Sequence, residues 1–404
     1  MIDLTRHLAS RSAEMTDLLS SLIAIPSISG AERAMTEFVA DYARRQGWQV
    51  DLWQSDEDDL RAIAPLPPKF IPLANRPTLA IKIPGTGRGR SLMFNGHADV
   101  VAAPNAPRWK FGPWSGALYD GKIFGRGACD IKGPLVSALW AMRALQDARA
   151  RLAGDVMLEL IPGEEDCVGL GTLTSVARGW RSDGVIVLEP TEGMPRCASR
   201  GGLRFQIAML GQSVHGTVKW LGRDAIALLP ELLARLLKLE SEWNDRAADP
   251  LFLPYPLMRP ITVDSIQAGD WQGMVCDRCL VSGYVELLPN DDLLAWTDRF
   301  KNALRNDNHE IFIIERYDGH ATTPTDPLCL ATGNTQPWSA FNSGCEAGLR
   351  ARLLSTPTLV WGPGSLAQAH AIDEFVEMDQ VALVARQFAE TAIRYCGPTQ
   401  PATK

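Results

Sequence analysis

The sequence has few cysteines and no long apolar run, and these shortages exclude several classes of protein. Eight cysteines are scattered over 404 residues, which is not a disulfide framework, and Cys276 and Cys279 have no second pair or nearby histidine to complete a zinc knuckle. No stretch of about 18 apolar residues predicts a membrane span, and the N-terminus lacks the features of a signal peptide. We therefore expect a cytoplasmic protein with reduced thiols.

An excess of basic charge is also missing. The net charge is −7, so we expect neither nucleic acid nor a membrane surface as a partner. A hydrophobic content of 46% and a charged content of 22% are normal for a globular protein. A chain of 404 residues is too long for one ordinary core. It therefore predicts two domains, or one domain with a large insertion.

Short apolar runs alternate with helical patterns in the first half of the chain. Strands are predicted at 78–83, 91–94, 156–161 and 185–188, with an apolar helix at 134–145. This rhythm is typical of an α/β sheet with helices on both faces. Residues 54–77 contain an acidic run and five prolines and predict an irregular loop.

The pattern changes after about residue 199. Strands at 203–210, 261–267, 275–287 and 311–316 accompany helices at 223–240 and 291–305, which is typical of a small α+β domain. A strand at 358–361 and a helix at 378–395 return to the α/β pattern. The division predicted is 1–198 and 318–404 for the large domain, with 199–317 inserted into it.

Histidine is scarce, and two of the six lie at particular places. His97 closes a predicted strand, and Asp99 follows on the same face, where its carboxylate can orient an imidazole that binds a metal. Open α/β sheets bind ligands at the carboxyl ends of their strands. The alternative is an ordinary hydrogen-bonded histidine at a strand end.

Three carboxylates follow predicted strands or tight turns in the same half. Asp130 lies in GRGACDIKG, which lacks phosphate-loop spacing, and its alternative role is to cap the following helix. Glu164 and Glu165 follow the strand VMLELIP. One of them can bind a metal while its neighbour acts as a general base, or both form a solvated acidic turn.

Two more candidates complete a set of five metal ligands. Glu189 ends the strand VIVLEP, and His370 follows a glycine-proline turn. Together the set offers two imidazoles and three carboxylates: His97, Asp130, Glu165, Glu189 and His370. These groups suit two zinc ions with one bridging carboxylate. Metals about 3.5–4 Å apart can share a water and lower its pKa to about 7.

Several segments, in order along the chain, resemble the M20 metallopeptidase family. They are NGHADVV, WKFGPWSGALYDGKIFGRGACDIKG, PGEED, LEP, GQSVHGT and GPGSLAQAHAIDEFV. The family includes acetylornithine deacetylase, succinyl-diaminopimelate desuccinylase, aminoacylase, carboxypeptidase G and several dipeptidases. The resemblance implies a zinc-hydrolase α/β sheet flanked by helices, with an inserted, smaller α+β domain that serves as lid and dimerisation domain.

The resemblance also implies a role for each candidate. One metal would be bound by His97 and Glu189, the other by Glu165 and His370, with Asp130 bridging the two and preceding a cis peptide bond to Ile131. Asp99 would orient His97, and Glu164 would be the general base. The cofactors implied are two zinc ions, with cobalt or manganese as alternatives.

His215 and the lid carry the remaining expectations. In a homodimer, His215 would reach the partner's site and stabilise the oxyanion; the alternative is a local hydrogen bond in a loop. The last lid strand reads LVSGYVELLPND, with Tyr284 and Glu286 where the family often has a basic residue. Arg350 or Arg352 is expected to pair with a substrate carboxylate instead.

Three functions remain open from the sequence. The first is a deacylase for an N-acyl amino acid, of the acetylornithine deacetylase or succinyl-diaminopimelate desuccinylase type. The second is a dipeptidase or carboxypeptidase with the same metal chemistry. The third is a non-catalytic relative that only binds ligands, which the presence of all five ligands and of Glu164 disfavours.

Overall fold

The computed structural model describes residues 4–66, 70–245 and 249–398. The first part of the chain alternates helices and strands as predicted. Its elements are α1 (Leu4–Ala9), α2 (Ser12–Ile23), α3 (Arg33–Arg45), β1 (Gln49–Trp53), α4 (Glu57–Arg61), β2 (Thr78–Ile83), β3 (Leu92–His97), β4 (Ala117–Tyr119), β5 (Lys122–Phe124), α5 (Gly133–Asp147), β6 (Val156–Ile161), α6 (Leu170–Arg178), β7 (Gly184–Val187) and β8 (Ala198–Ser199).

The middle part follows the predicted order, and the last part contains the predicted strand and long helix together with short elements that the sequence did not predict. The middle holds β9 (Gly201–Leu210), α7 (Leu229–Asn244), β10 (Ile261–Ala268), β11 (Arg278–Leu287), α8 (Leu293–Leu304) and β12 (His309–Tyr317). The last part holds β13 (His320–Ala321), α9 (Pro327–Thr332), β14 (Ala340–Phe341), α10 (Ala347–Leu354), β15 (Thr358–Val360), β16 (Phe375–Glu377) and α11 (Met378–Cys396). Among the described helices, none is long and apolar enough to cross a membrane.

The loop predicted at 54–77 contains a short helix, so that prediction was incomplete. The side chain of Asp56 accepts a hydrogen bond from the backbone N–H of Asp58 and caps the start of α4. Leu60 is buried on the inner side of this helix. Residues 67–69 of the loop lie outside the described residues.

The large sheet has the strand order β1-β2-β6-β3-β7-β15. Its neighbours β6, β3, β7 and β15 run parallel, so their carboxyl ends lie at one edge. Successive residues of β3 point to opposite faces: Phe94 packs into the core that contains α5 and α11, and Met93 packs into a second core with Phe341. Helices and loops therefore cover both faces, and the predicted α/β class is confirmed.

Residues 201–317 form a separate antiparallel sheet of order β10-β11-β9-β12. One face packs on α7 and α8, where Leu203 and Phe205 meet Leu236 and Phe300 in a core of their own. The other face carries the polar side chains that alternate with these apolar ones. This arrangement fits the predicted α+β insertion, whose boundaries stay a prediction.

Candidate metal centre and active site

Three parallel strands deliver candidate ligands to one edge of the large sheet. His97 is the last residue of β3, Glu164 and Glu165 follow β6, and Glu189 follows β7. Because these strands are parallel neighbours, side chains far apart in the sequence meet at their carboxyl ends. Gly163, with a φ of 83°, allows the tight turn between β6 and Glu164.

Asp130 lies between the two histidines. Its Oδ1 is 3.2 Å from Nε2 of His97, and its Oδ2 is 3.4 Å from Nε2 of His370. His370 also lies 3.2 Å from the carboxylate of Glu165. One ligand atom each of His97, Asp130 and Glu165 lie within 4.8 Å of one another. One carboxylate that faces both imidazoles has the position expected of a bridging ligand.

The hydrogen bonds of His97 fit a metal-binding imidazole. Its Nδ1 lies 2.9 Å from the backbone carbonyl of Asp99 and donates to it, which leaves Nε2 as an acceptor. Nε2 and Oδ1 of Asp130 are both buried and have no hydrogen-bond partner within the described chain. Two acceptors that face each other in a buried site need a proton or a metal ion between them, so the donor set fits a metal.

The electrostatics of the site favour positive charge. Burial raises the pKa of Glu164 well above its usual range, and the neighbouring Glu165 adds to this rise. The pKa of Glu189 is raised by burial and by the charge of Asp130. Hydrogen bonds with Asp130 and Glu165 raise the pKa of His370 to about 11. The burial and crowding of these carboxylates therefore favour a nearby positive charge, which a bound metal ion would supply.

The carboxylate of Asp99 fixes the loop that carries Glu164 and Glu165. It accepts hydrogen bonds from the hydroxyl of Ser29 at 2.8 Å and from the backbone N–H groups of Gly163, Glu164 and Glu165 at 3.0, 3.1 and 3.0 Å. The carboxylate itself is 3.6 Å from Nδ1 of His97. Asp99 therefore contacts the imidazole through its backbone carbonyl and holds the acidic loop with its side chain.

The carboxylate of Glu374 holds the turn that carries Asp130 by accepting hydrogen bonds from it. Its carboxylate accepts hydrogen bonds from Arg126 at 2.6 Å and from the N–H groups of Gly127, Cys129 and Asp130 at 3.0, 2.9 and 3.2 Å. The peptide bond between Asp130 and Ile131 is cis, which confirms that expectation. The sequence analysis missed Glu374; the only signal was its place in an Asp-Glu pair before Phe375, four positions after His370.

The second sheet supplies the opposite wall of the site. A cavity of about 300 Å³ is lined by metal-ligand candidates and by polar residues of β9, β11 and β12: Asp130, Glu164, Glu165, Glu189, His370, Arg204, Tyr284, Glu286 and Tyr317. Arg204 and Tyr317 were missed in the sequence. Arg204 could have been noticed as a polar residue at an alternate position of the predicted strand 203–210.

The two arginines expected to bind substrate lie elsewhere. Arg350 is buried in α10 and forms an ion pair with Glu159 of β6. Arg352 is half-exposed and pairs with Asp318. Neither is among the described residues that line the cavity. Their spacing from the glycine-proline turn could not reveal these competing partners.

His215 also lies away from the cavity within its own chain. It is exposed, and its Nδ1 is 2.8 Å from the hydroxyl of Thr217, which is the local contact considered as the alternative. The described residues lining the cavity do not include it. A role in a partner's site therefore stays a prediction.

Comparisons with known proteins agree with this geometry. An N-formyl-4-amino-5-aminomethyl-2-methylpyrimidine deformylase from Halalkalibacterium halodurans is 24% identical over 97% of this chain and 96% of that protein. An acetylornithine deacetylase from Yersinia pseudotuberculosis is 28% identical over 90% and 92%.

Solved structures share the fold. An M20 family metallo-carboxypeptidase from Sulfolobus solfataricus matches with a TM-score of 0.75 at 18% identity, over 95% of this chain and 99% of that one. A Bacillus subtilis protein described as a dinuclear metal-binding peptidase of the M20 family matches with a TM-score of 0.63 at 14% identity, over 95% and 98%. The sequence model of Peptidase family M20/M25/M40 matches residues 93–394. The chain therefore belongs to peptidase family M20/M25/M40 and is a metal-dependent hydrolase.

Proposed function

We propose that this protein is a di-metal deacylase that hydrolyses the amide bond of a small N-acyl amino acid. The acetylornithine deacetylase and succinyl-diaminopimelate desuccinylase activities are the models for its reaction. The observation that carries the proposal is the carboxylate of Asp130 between His97 and His370, with Glu164 in the same cavity. The names of the two relatives, a deacetylase and a deformylase, favour removal of a small acyl group.

Five side chains would hold the metals. His97 and Glu189 would bind one ion, Glu165 and His370 the other, and Asp130 both. Zinc suits this set of nitrogen and oxygen ligands, with cobalt or manganese as alternatives. When bound, such ions polarise the amide carbonyl and lower the pKa of a shared water to about 7.

Glu164 is the proposed general base. Its carboxylate lies 4.0 Å from Nε2 of His97 and lines the cavity where the amide would lie. It would accept a proton from the attacking water and deliver it to the leaving nitrogen. Burial raises the pKa of Glu164 well above its usual range, and a raised pKa makes a carboxylate a stronger base.

The proposal is tested with a substrate panel on the metal-loaded protein. N-acetylornithine and N-succinyl-diaminopimelate are compared with dipeptides and C-terminal peptide substrates. Hydrolysis of the acyl compounds without turnover of peptides supports a deacylase. Preferential peptide hydrolysis would favour the alternative function of a dipeptidase or carboxypeptidase. One of the solved structures with the same fold is a carboxypeptidase. If the protein hydrolysed none of these amides, the remaining alternative would be a non-catalytic relative that only binds ligands.

We further propose that residues 199–317 form a lid and dimerisation domain that brings His215 to the partner's site. Mixing two inactive variants tests this directly. In a heterodimer of Glu164→Gln and His215→Ala, the protomer that keeps Glu164 receives His215 from its partner. Activity that returns on mixing supports the role in trans. A monomeric protein with full activity, or a mixture that stays inactive, contradicts it.

A further inference from the structure

Six positions form two rows on the face of the second sheet that turns away from its helices. Arg204 lies opposite Tyr284 of β11 on one side and Glu315 of β12 on the other. The next row is Glu286, Gly202 and Tyr317. Residues two apart in a strand share a face, so these side chains form one polar surface. Four of them line the cavity of the candidate active site.

Three side chains of this polar surface are buried, whereas the side chain of Arg204 is 39% exposed. Glu286 is 6% exposed, Glu315 is 7% exposed and Tyr317 is 6% exposed. Gly202 leaves room for Tyr317, since a side chain there would meet the phenol oxygen at 2.4 Å. Burying a carboxyl group is unfavourable unless a donor or cation compensates for the lost water. The donors available to each carboxylate therefore decide what the surface can bind.

Glu286 has one hydrogen-bond acceptor left over. The hydroxyl of Tyr317 donates to Oε1 at 3.1 Å. Oε2 is buried and has no partner in the described parts of the chain. Burial raises the pKa of Glu286 to about 7, while the charge of Arg200 opposes that rise. An approaching positive charge would therefore meet a carboxyl group that ionises readily near neutral pH.

The printed contacts of the two nearby arginines are with groups other than Glu286. Nε of Arg204 lies 3.3 Å from Glu315. Arg200 donates to the amide oxygen of Asn342 and to the backbone carbonyls of Leu257 and Met258. No ion pair within 4 Å joins Glu286 to a basic side chain of the described residues. No side chain of the described residues donates to Oε2, so a group from outside the chain can take that position.

We propose that Glu286 determines substrate specificity by binding an N–H-bearing, cationic group of the substrate. This inference rests on the proposed function, because the group would belong to the molecule whose amide bond lies over the metal ligands. Two chemical sources fit an unpaired carboxylate oxygen: an alkylammonium group and a protonated amino-heterocycle. Both present N–H donors with positive charge, and such charge-assisted hydrogen bonds are the strong ones.

The test compares small amides that differ in the group remote from the bond to be hydrolysed. N-acetyl-L-ornithine carries an ammonium group, N-acetyl-L-norleucine has a methyl group in its place, and N-acetyl-L-glutamate carries the opposite charge. N-formyl-4-amino-5-aminomethyl-2-methylpyrimidine represents the heterocyclic source. With the metal-loaded protein, the cationic substrates should have a kcat/KM at least about 10-fold above that of the norleucine compound. The more active of the two cationic substrates identifies the source.

The variant Glu286→Gln keeps the size of the side chain and removes its charge. It should lower kcat/KM for the preferred cationic substrate by about 10–100-fold and change the norleucine compound by less than about threefold. Tyr317→Phe, which removes the donor to Oε1, should lower the same selectivity by a smaller factor. Glu310→Gln, an exposed position on β12, is the matched control and should change nothing.

A wild-type preference for the glutamate or norleucine compound would overturn the assignment of Glu286. The assignment would also be overturned if Glu286→Gln lowered kcat/KM equally for all substrates. Unchanged selectivity in this variant would overturn it as well. If Glu286→Gln does not fold, Tyr317→Phe and the wild-type preference decide. If the wild type hydrolyses none of the amides, the proposed function fails, and calorimetric binding of free ornithine against norleucine then decides on Glu286 alone.

Discussion

Replacing Asp99 by asparagine should disable the acidic loop without removing any metal ligand. The carboxylate of Asp99 receives two hydrogen bonds on each oxygen: from Gly163 and Glu164 on Oδ1, and from Ser29 and Glu165 on Oδ2. An asparagine amide can be satisfied best with its NH₂ toward Ser29, whose hydroxyl can turn to accept. The N–H of Glu165 then loses its acceptor, and the other bonds lose their charge assistance.

The magnitude follows from these contacts. An unsatisfied buried N–H costs about 1–3 kcal/mol, and each remaining bond weakens by about 1 kcal/mol when its acceptor becomes neutral. With three remaining bonds, the free energy of unfolding should therefore fall by about 4–6 kcal/mol. Because a shift of about 1 Å in reacting groups can cost about 100-fold in rate, kcat should drop by at least that factor. Urea unfolding and steady-state kinetics measure the two effects.

Ser29→Ala is the matched control, because it removes one donor and leaves the charge. It should cost about 1 kcal/mol and change kcat by less than about threefold. An Asp99→Asn protein with wild-type stability, or one with kcat within threefold of wild type, would refute the positioning role of this carboxylate.

Three further predictions concern the metal centre. Glu164→Gln should lower kcat by about 10²–10⁴-fold while elemental analysis finds the metal content unchanged; full activity, or a matching loss of metal, would contradict the base assignment. A strong chelator should abolish activity and zinc or cobalt should restore it, whereas activity that survives chelation would exclude the metal mechanism. Because the pKa of His370 is raised to about 11, the metal-free imidazole is protonated at pH 7 and must lose its proton to bind. Metal affinity should then fall about tenfold per pH unit for each proton displaced as the pH is lowered; metal uptake without proton release in weakly buffered indicator solution would contradict this.

The large sheet was predictable because its strands are short apolar runs between helical patterns. Buried parallel strands such as β3 and β6 are largely apolar on both faces, so 91–94 and 156–161 stand out in the sequence, and the structure extends the first of these to His97. The helix α4 was less visible, since five residues with a polar cap resemble an acidic loop. The cap at Asp56 was the local signal that the prolines around it obscured.

The candidate metal ligands at the strand ends could also be predicted from the sequence. Residues such as His97 and Glu189 interrupt apolar surroundings where a buried charge is unfavourable without a partner. The structure brings them to the same edge. The positioning residue Glu374 was not predictable, since its importance lies in four hydrogen bonds to a turn about 245 residues away.

The sequence by itself determined the α/β class, the family and the list of candidate ligands, because apolar periodicity and local motifs are properties of consecutive residues. Only the tertiary structure decided which guanidinium faces the cavity: Arg350 is neutralised by Glu159, while Arg204 lies in the wall. It also decided that Glu286 is buried with an unpaired oxygen. Burial and pairing depend on which elements pack together, and spacing along the chain does not specify them.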